Sequence, residues 1–372
     1  SSANQCLLDC GAALSARRLL NMDGKKVELH VHLDSAWRHS TLWEIAKKRN
    51  IKLPGIDNVE DLRRACVTDK PQGLSHFLKP FKLLAPIYNG NLDAYERLAY
   101  EYCEDVAKHG VVYAEVRLVP HRCFSPDQYR QLGYDGLSEM VKRVSYGLAR
   151  AEQDLNIQTR IILIAIHGNP PRHMQDTLRL CQHHWDSGVV GVDLCTMQPE
   201  HSTVDEAPVV EEVQFLMEEA RKSSIYRTIH AGEVSGPAAI ERAAYQLHSD
   251  RVGHGYHVVQ DEKLYARCRR DQVHFECCPY SSYLTGAVPT NCAKHPILRF
   301  AEDGANFSLS SDDPTLTGHF VDGDYKLAHS FGLNEQHFAQ SNVNAAKASF
   351  LQESEKNQLV KQIRKSYGLE DE

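Results

Sequence analysis

Short apolar segments rich in Val and Ile alternate along the chain with longer stretches whose apolar residues return at helical spacing. The short segments are Val27–His32, Val111–Val119, Arg160–Ile166, Val189–Leu194, Tyr226–His230, Arg251–His254, Val273–Cys277 and Ala305–Ser310, mostly bounded by Gly, Pro or Asp. Such runs predict buried strands. Between them, Leu92–His109, Tyr134–Leu155, Met174–Ser187, Ala207–Ser223, Ala238–Ser249 and Glu262–Asp271 predict amphipathic helices. Strand-then-helix alternation requires parallel strands joined by crossovers, and eight such strands predict an α/β fold, a (β/α)8 TIM-type barrel.

A barrel of this kind takes ~250 residues, and the chain has 372. Much of the surplus falls in residues 33–110, too long for one crossover, where helices inserted after strand 1 (Thr41–Arg49, Val59–Arg64, Leu74–Ala85) are expected to cover part of the barrel mouth. Ser341–Glu372 predicts C-terminal helices closing the outside. With no repeat and no Pro-, Gly- or Ser-rich linker, the expected organisation is an N-terminal extension over 1–26 and a single barrel domain over 27–372.

Composition narrows the partners. Hydrophobic residues at 42% and charged residues at 24% exclude disorder as the main state. A net charge of −7 without any block of Lys and Arg leaves no footprint for nucleic acid or an anionic membrane, so a small-molecule partner is expected. No apolar run approaches the ~20 residues of a membrane span, and the N-terminus lacks a basic-then-apolar signal pattern. The expected compartment is cytoplasmic, with a secreted form if a signal peptide preceded Ser1. Eleven cysteines, an odd number in so large a chain, fit reduced thiols; Cys277-Cys278 sits in an apolar run and reads as packing.

Barrel enzymes build their sites at the C-terminal ends of the strands. Strand one ends in His30-Val31-His32-Leu33-Asp34, and alternation turns both imidazoles inward. Strand five ends in His230-Ala231-Gly232-Glu233, strand six in Gly253-His254-Gly255, and strand eight in Ser310-Ser311-Asp312-Asp313-Pro314. His30, His32, His230 and Asp312 form a nitrogen-rich set suited to one zinc ion per chain, with room for a water whose pKa the metal would bring near 7. Glu233 is the natural acid/base, His254 stands ready to orient or help deprotonate that water, and Asp313 can orient substrate. These residue types predict metal-assisted hydrolysis of a C–N, P–O or amide bond.

Other features are set aside. His274-Phe275-Glu276 imitates the His-x-Glu of cytidine-type deaminases, but no Pro-Cys-x-x-Cys follows, so it reads as a strand-seven pattern. His183, His184, His201, His295 and His337 are expected to be solvated, and Asn306-Phe307-Ser308, within a predicted strand, is expected to carry no glycan.

At these residues the sequence resembles the adenosine deaminases of the amidohydrolase superfamily. The likeness runs from Val27–Asp34 through Gly110–Arg117, His230–Glu233, Gly253–His257, Pro279–Ala287 and Ser311–Pro314 to Asn344–Lys347. It implies a zinc-dependent hydrolase of cyclic amidine C–N bonds that converts adenosine and 2′-deoxyadenosine to inosine and 2′-deoxyinosine plus ammonia. It also implies zinc on His30, His32, His230 and Asp312. Asp312 counts among the catalytic residues with Glu233, which protonates N1, and His254, which steers the hydroxide. Asp313 faces N7 and Asp34 contacts the ribose 5′-hydroxyl; His167 and Thr196 complete the implied substrate-binding set.

Some positions depart from the family. Thr196 stands where the family keeps a glycine facing N3, within Cys195-Thr196-Met197-Gln198-Pro199-Glu200; Ile166-His167 replaces an Arg-His pair; Ser35 stands where many members have Gly. The lost cation and the lost acidic residue on neighbouring strands look like a charge pair removed together. No cation is evident near Asp34 for a 5′-phosphate. The expected protein is thus a divergent adenosine deaminase. The alternatives are a deaminase of a 5′- or base-modified adenine nucleoside and a secreted adenosine-lowering, growth-factor-like or binding protein.

Overall fold

The computed structural model describes residues 24–196, 210–289 and 294–370. Eight parallel strands run in sequence order through one sheet: β1 (Lys26–His32), β2 (Val111–Leu118), β3 (Gln158–His167), β4 (Val189–Thr196), β5 (Tyr226–Ala231), β6 (Arg251–His254), β7 (His274–Cys277) and β8 (Phe307–Leu309). The seam between the last and first strands is closed by a parallel bridge between Val31 and Asp312. There His32 N–H donates to the Asp312 carbonyl at 2.7 Å and Asp312 N–H to the His30 carbonyl at 3.0 Å. The predicted (β/α)8 TIM-type barrel is the fold.

The strands follow their pattern because β-branched residues pack well on a surface buried from both sides. Ile161, Ile162, Leu163 and Ile164 in β3 are all at most 1% exposed. Two expected helices have different limits, each for a local reason. The segment over Pro126–Leu155 begins earlier than expected, at a Ser125 cap with Pro126 in the first turn, but Gly133 (φ 57, ψ −147) breaks it just before Tyr134. The expected Leu74–Ala85 helix is two pieces, Leu74–Phe77 and Pro80–Tyr88, since Pro80 lacks the N–H that would continue the first. Four further helices follow β7 and β8 (Pro279–Leu284, Pro296–Glu302, Pro314–Thr317, Val321–Ser330) and are not expected from the sequence.

The C-terminal helices Glu335–Ala348 and Glu353–Ser366 cover the flank of β1 and β2, with Leu351, Leu359 and Ile363 against Val27, Leu29 and Tyr113. Residues 1–23 of the expected N-terminal extension, residues 207–209 of an expected helix, His201 and the terminal residues 371–372 lie outside the described residues. Two of the histidines expected in solvent are buried. His184 Nε2 lies 2.8 Å from Ser138 Oγ, and His295 stacks on Phe331 at 4.1 Å while its Nδ1 caps the helix Pro296–Glu302. The Asn306 side-chain N–H donates to the Gln272 carbonyl, so that amide is engaged within the fold. Among the described residues no helix is long and apolar enough to cross a membrane.

The barrel interior is ionic where most cores are apolar. Arg117 and Arg251 are the largest fully buried side chains among the described residues. Arg251 bridges Glu276 (2.7 Å) and Glu115 (2.5 Å); Arg117 bridges Glu276 (2.8 Å) and Asp193 (2.9 Å). Removing one partner strands a charge without water, the expensive case. Arg251→Leu is expected to lower the unfolding free energy by about 3–5 kcal/mol, read as a reduced urea midpoint; an unchanged midpoint would refute the weight given to this network.

Candidate active site

Strand alternation and the carboxylates beneath it set the floor of the mouth. In β1, His30 and His32 share a face, and His30 turns Nδ1 to the Glu276 carboxylate at 2.8 Å. In β5, His230 turns Nδ1 to Asp193 at 3.1 Å. Each carboxylate fixes a tautomer whose Nε2 looks into the mouth with its lone pair, the arrangement that supports metal-binding imidazoles. His32 Nε2 lies 3.3 Å from His230 Nε2 and 3.2 Å from Asp312 Oδ1, which His30 Nε2 approaches to 3.4 Å. One donor atom from each of these four residues falls within 4.8 Å of all the others. The structure therefore brings His30, His32, His230 and Asp312 together.

The electrostatics fit a cation at this point. Burial pushes His230 down to about 3, so it is a neutral donor at physiological pH. Burial pulls His32 down as well, but Asp313 and Asp312 outweigh it and hold the ring up at about 9: this spot calls for positive charge. Burial pushes Asp193 up, yet His230 and Arg117 hold it at about 2, a permanent anion under the ring it orients. Three imidazoles and a carboxylate at these separations match zinc's preference for a few N and O ligands.

Around that cluster stand the proton-handling groups. Glu233, two residues beyond β5, is pushed up to about 7 by burial and then by the negative Asp312. His254 ends β6 with Nε2 3.5 Å from Glu233 Oε2, and burial lowers its pKa. His254 (φ 63) and Asp312 (φ 61) both hold left-handed backbone, strain of a kind that gathers at functional sites. Gly253 is needed beside them: a Cβ there would come within 3.0 Å of His30 Cε1 and 3.2 Å of the His230 Cα. Asp313, pushed up to about 7 by burial and Asp312, accepts a short hydrogen bond from the Ser35 hydroxyl.

These groups open into one cavity, lined also by Asp34, by Val119, Ile164, Ile166 and Cys195 from β2 to β4, and by Leu74, Phe77, Leu78 and Phe81 of the inserted helices. The insertion thus forms part of the mouth, as expected. Val119, Ile164, Ile166 and Cys195 pack as a small apolar cluster of their own. His167 is not among the lining residues. It follows Ile166 on β3, and alternation gives the cavity the even-numbered positions 164 and 166. The Thr196 backbone ends β4 opposite His167, but its side chain and residues 197–209, including Met197–Glu200, lie outside the described residues.

Sequence reasoning missed four residues. Glu276 was set aside as a strand pattern, yet it orients His30; Arg117 and Asp193 complete the layer beneath. Their signal was charge inside otherwise apolar strands. The fourth corrects the expectation of no cation near Asp34: Arg122, in the turn Pro120–Cys123 after β2, lines the cavity and its charge acts on Asp34.

Comparison with known proteins decides the lineage. The adenosine deaminase family profile matches residues 25–366. The chain is 39% identical over 357 residues to the adenosine deaminase of Xenopus laevis, covering 92% of this chain and 96% of that one. With the adenosine deaminase of Mus musculus it shares 40% over 348 residues, covering 92% and 97%. The chain belongs to the adenosine deaminase family. Solved structures more distant in sequence share the architecture. The adenine deaminase from Arthrobacter aurescens superposes with a TM-score of 0.79 at 22% identity, covering 92% of this chain and 98% of that one. A cog1816 amidohydrolase with bound Zn gives 0.78 at 24%, covering 96% and 95%. The adenosine deaminase family is metal-dependent and hydrolyses C–N bonds, and the four-residue cluster described above is where this member gathers metal-type donors.

If the carboxylates beneath the rings preorganise them, Asp193→Ala should weaken zinc affinity about 10–100-fold, measured by competition with a chromophoric chelator. Wild-type affinity in that variant would remove Asp193 from the site.

Proposed function

We infer that this chain is a zinc-dependent deaminase that converts adenosine and 2′-deoxyadenosine to inosine and 2′-deoxyinosine with release of ammonia. The observation that carries the reading is the shared cavity: His32, His230 and Asp312 of the three-histidine, one-carboxylate cluster line it together with Glu233 and His254, while His30 completes the cluster from its buried floor. His30, His32, His230 and Asp312 would hold one zinc ion per chain. When bound, zinc supplies an activated water at neutral pH.

The remaining roles belong to the chain's own side chains. Attack at C6 breaks the aromaticity of the ring and moves electron density onto N1. Glu233, buried and pushed up to about 7, has a proton available for N1 as that charge develops, the point at which a donor lowers the barrier. His254 Nε2, 3.5 Å from Glu233, is placed to accept a hydrogen bond from the incoming water and aim it at C6. Asp313, which lines the same cavity, is assigned to N7, its carboxyl steadied by Ser35. Asp34 is assigned to the sugar. One water adds, one ammonia leaves, and the keto purine remains.

The apolar cover of Leu74, Phe77, Leu78 and Phe81 limits water around the base, which strengthens each of these polar contacts. Glu233→Gln keeps the shape and loses the proton. Its kcat for adenosine should fall by about 10²–10⁴ while zinc content by atomic absorption stays at one per chain. Full turnover in that variant would refute the role of Glu233. Loss of zinc together with activity would make it structural.

A further inference from the structure

Arg122 is the one arginine or lysine among the described residues lining the cavity. It stands in the turn Pro120–Cys123 directly after β2, held there by its own N–H donating to the Val119 carbonyl at 3.1 Å. Its guanidinium lies over the Phe81 ring at 5.5 Å, which directs it along the wall beneath the inserted helix. Its charge acts on Asp34 on the neighbouring element. Asp34 is only 4% exposed, and its Oδ1 has no hydrogen-bond partner although it is buried. A buried acceptor left in that condition is costly unless a ligand completes it.

The pair therefore offers a carboxylate acceptor and a guanidinium donor in the same cavity, with Asp34 beside His32 of the four-residue cluster. A hydroxyl satisfies both at once, giving its proton to Asp34 and accepting from Arg122. A thioether or methyl group satisfies neither. A phosphate would satisfy Arg122 but would press its charge against Asp34. On the reading that Asp34 faces the sugar, which this inference shares with the proposed function, we propose that Arg122 is a specificity-determining residue that reads the 5′-hydroxyl of the nucleoside together with Asp34.

A site built to bond a hydroxyl discriminates strongly against the analogue that lacks it. The test measures kcat and KM for adenosine, 5′-deoxyadenosine and AMP, and calorimetric affinity for inosine and 5′-deoxyinosine, on zinc-loaded wild type, Arg122→Leu and Arg122→Lys. Wild type should favour adenosine over 5′-deoxyadenosine by at least about tenfold, with AMP poorest. Arg122→Leu should lose about tenfold on adenosine, mostly through KM, and stay within about twofold of wild type on 5′-deoxyadenosine; Arg122→Lys should keep part of the preference. A merely structural arginine would instead lower both substrates equally. Equal losses, no loss, or AMP turned over as well as adenosine would each overturn the proposal. The affinities separate the two readings. A wild type that turns over no nucleoside yet prefers inosine to 5′-deoxyinosine refutes the proposed reaction and supports the role of Arg122. Equal binding of the two inosines refutes that role whatever the turnover. If Arg122→Leu does not fold, the same comparisons are read on Arg122→Lys.

Discussion

A single carboxylate carries much of this molecule. Glu276 sits in β7 with no exposure, accepts from Arg117 and Arg251 and from the Thr228 hydroxyl, and in turn orients His30. An isolated carboxylate in such a place would cost several kcal/mol or take up a proton. The two arginines hold it well below the usual carboxylate range against the burial that would raise it. Because its partners come from β1, β2, β5 and β6, one anion couples most of the barrel's strands to the geometry of the mouth. Packing alone would let the His30 ring rotate about its χ angles; a fixed anion at Nδ1 does not.

That layer also explains why the site can combine opposed protonation states within a small volume. Asp193 is kept ionised by His230 and Arg117 and Glu276 by Arg117 and Arg251, whereas Glu233 and Asp313 are driven up by burial and by Asp312. Four carboxyl groups of ordinary acidity are sorted into permanent anions and proton carriers by which charges stand beside them.

The architecture was readable because its signals are local. Strand alternation placed His30 and His32 on one face, and a polar group at the end of an apolar run marked each strand that feeds the mouth. What could not be read was pairing between distant positions: Arg117 meets Glu276 across 159 residues, and nothing in either strand names the other. Nor could period distinguish His184 and His295 from surface histidines, because their burial depends on single contacts with Ser138 and Phe331. Arg122 escaped notice for a related reason. Its relevance comes from the direction the turn after β2 takes, which composition does not encode. His167 came from the family resemblance, whereas alternation along β3 gives the cavity positions 164 and 166.

The seam between β1 and β8 has a consequence for how the molecule is made. His30 and His32 belong to β1, while Asp312, which meets both and also bridges Val31, stands three residues beyond β8. On the ribosome all eight barrel strands are made before the residue that unites those imidazoles emerges. Closure of the barrel and completion of the cluster thus depend on the same residue, and a translation product that stops before Asp312 lacks both the bridge to Val31 and the fourth member of the cluster.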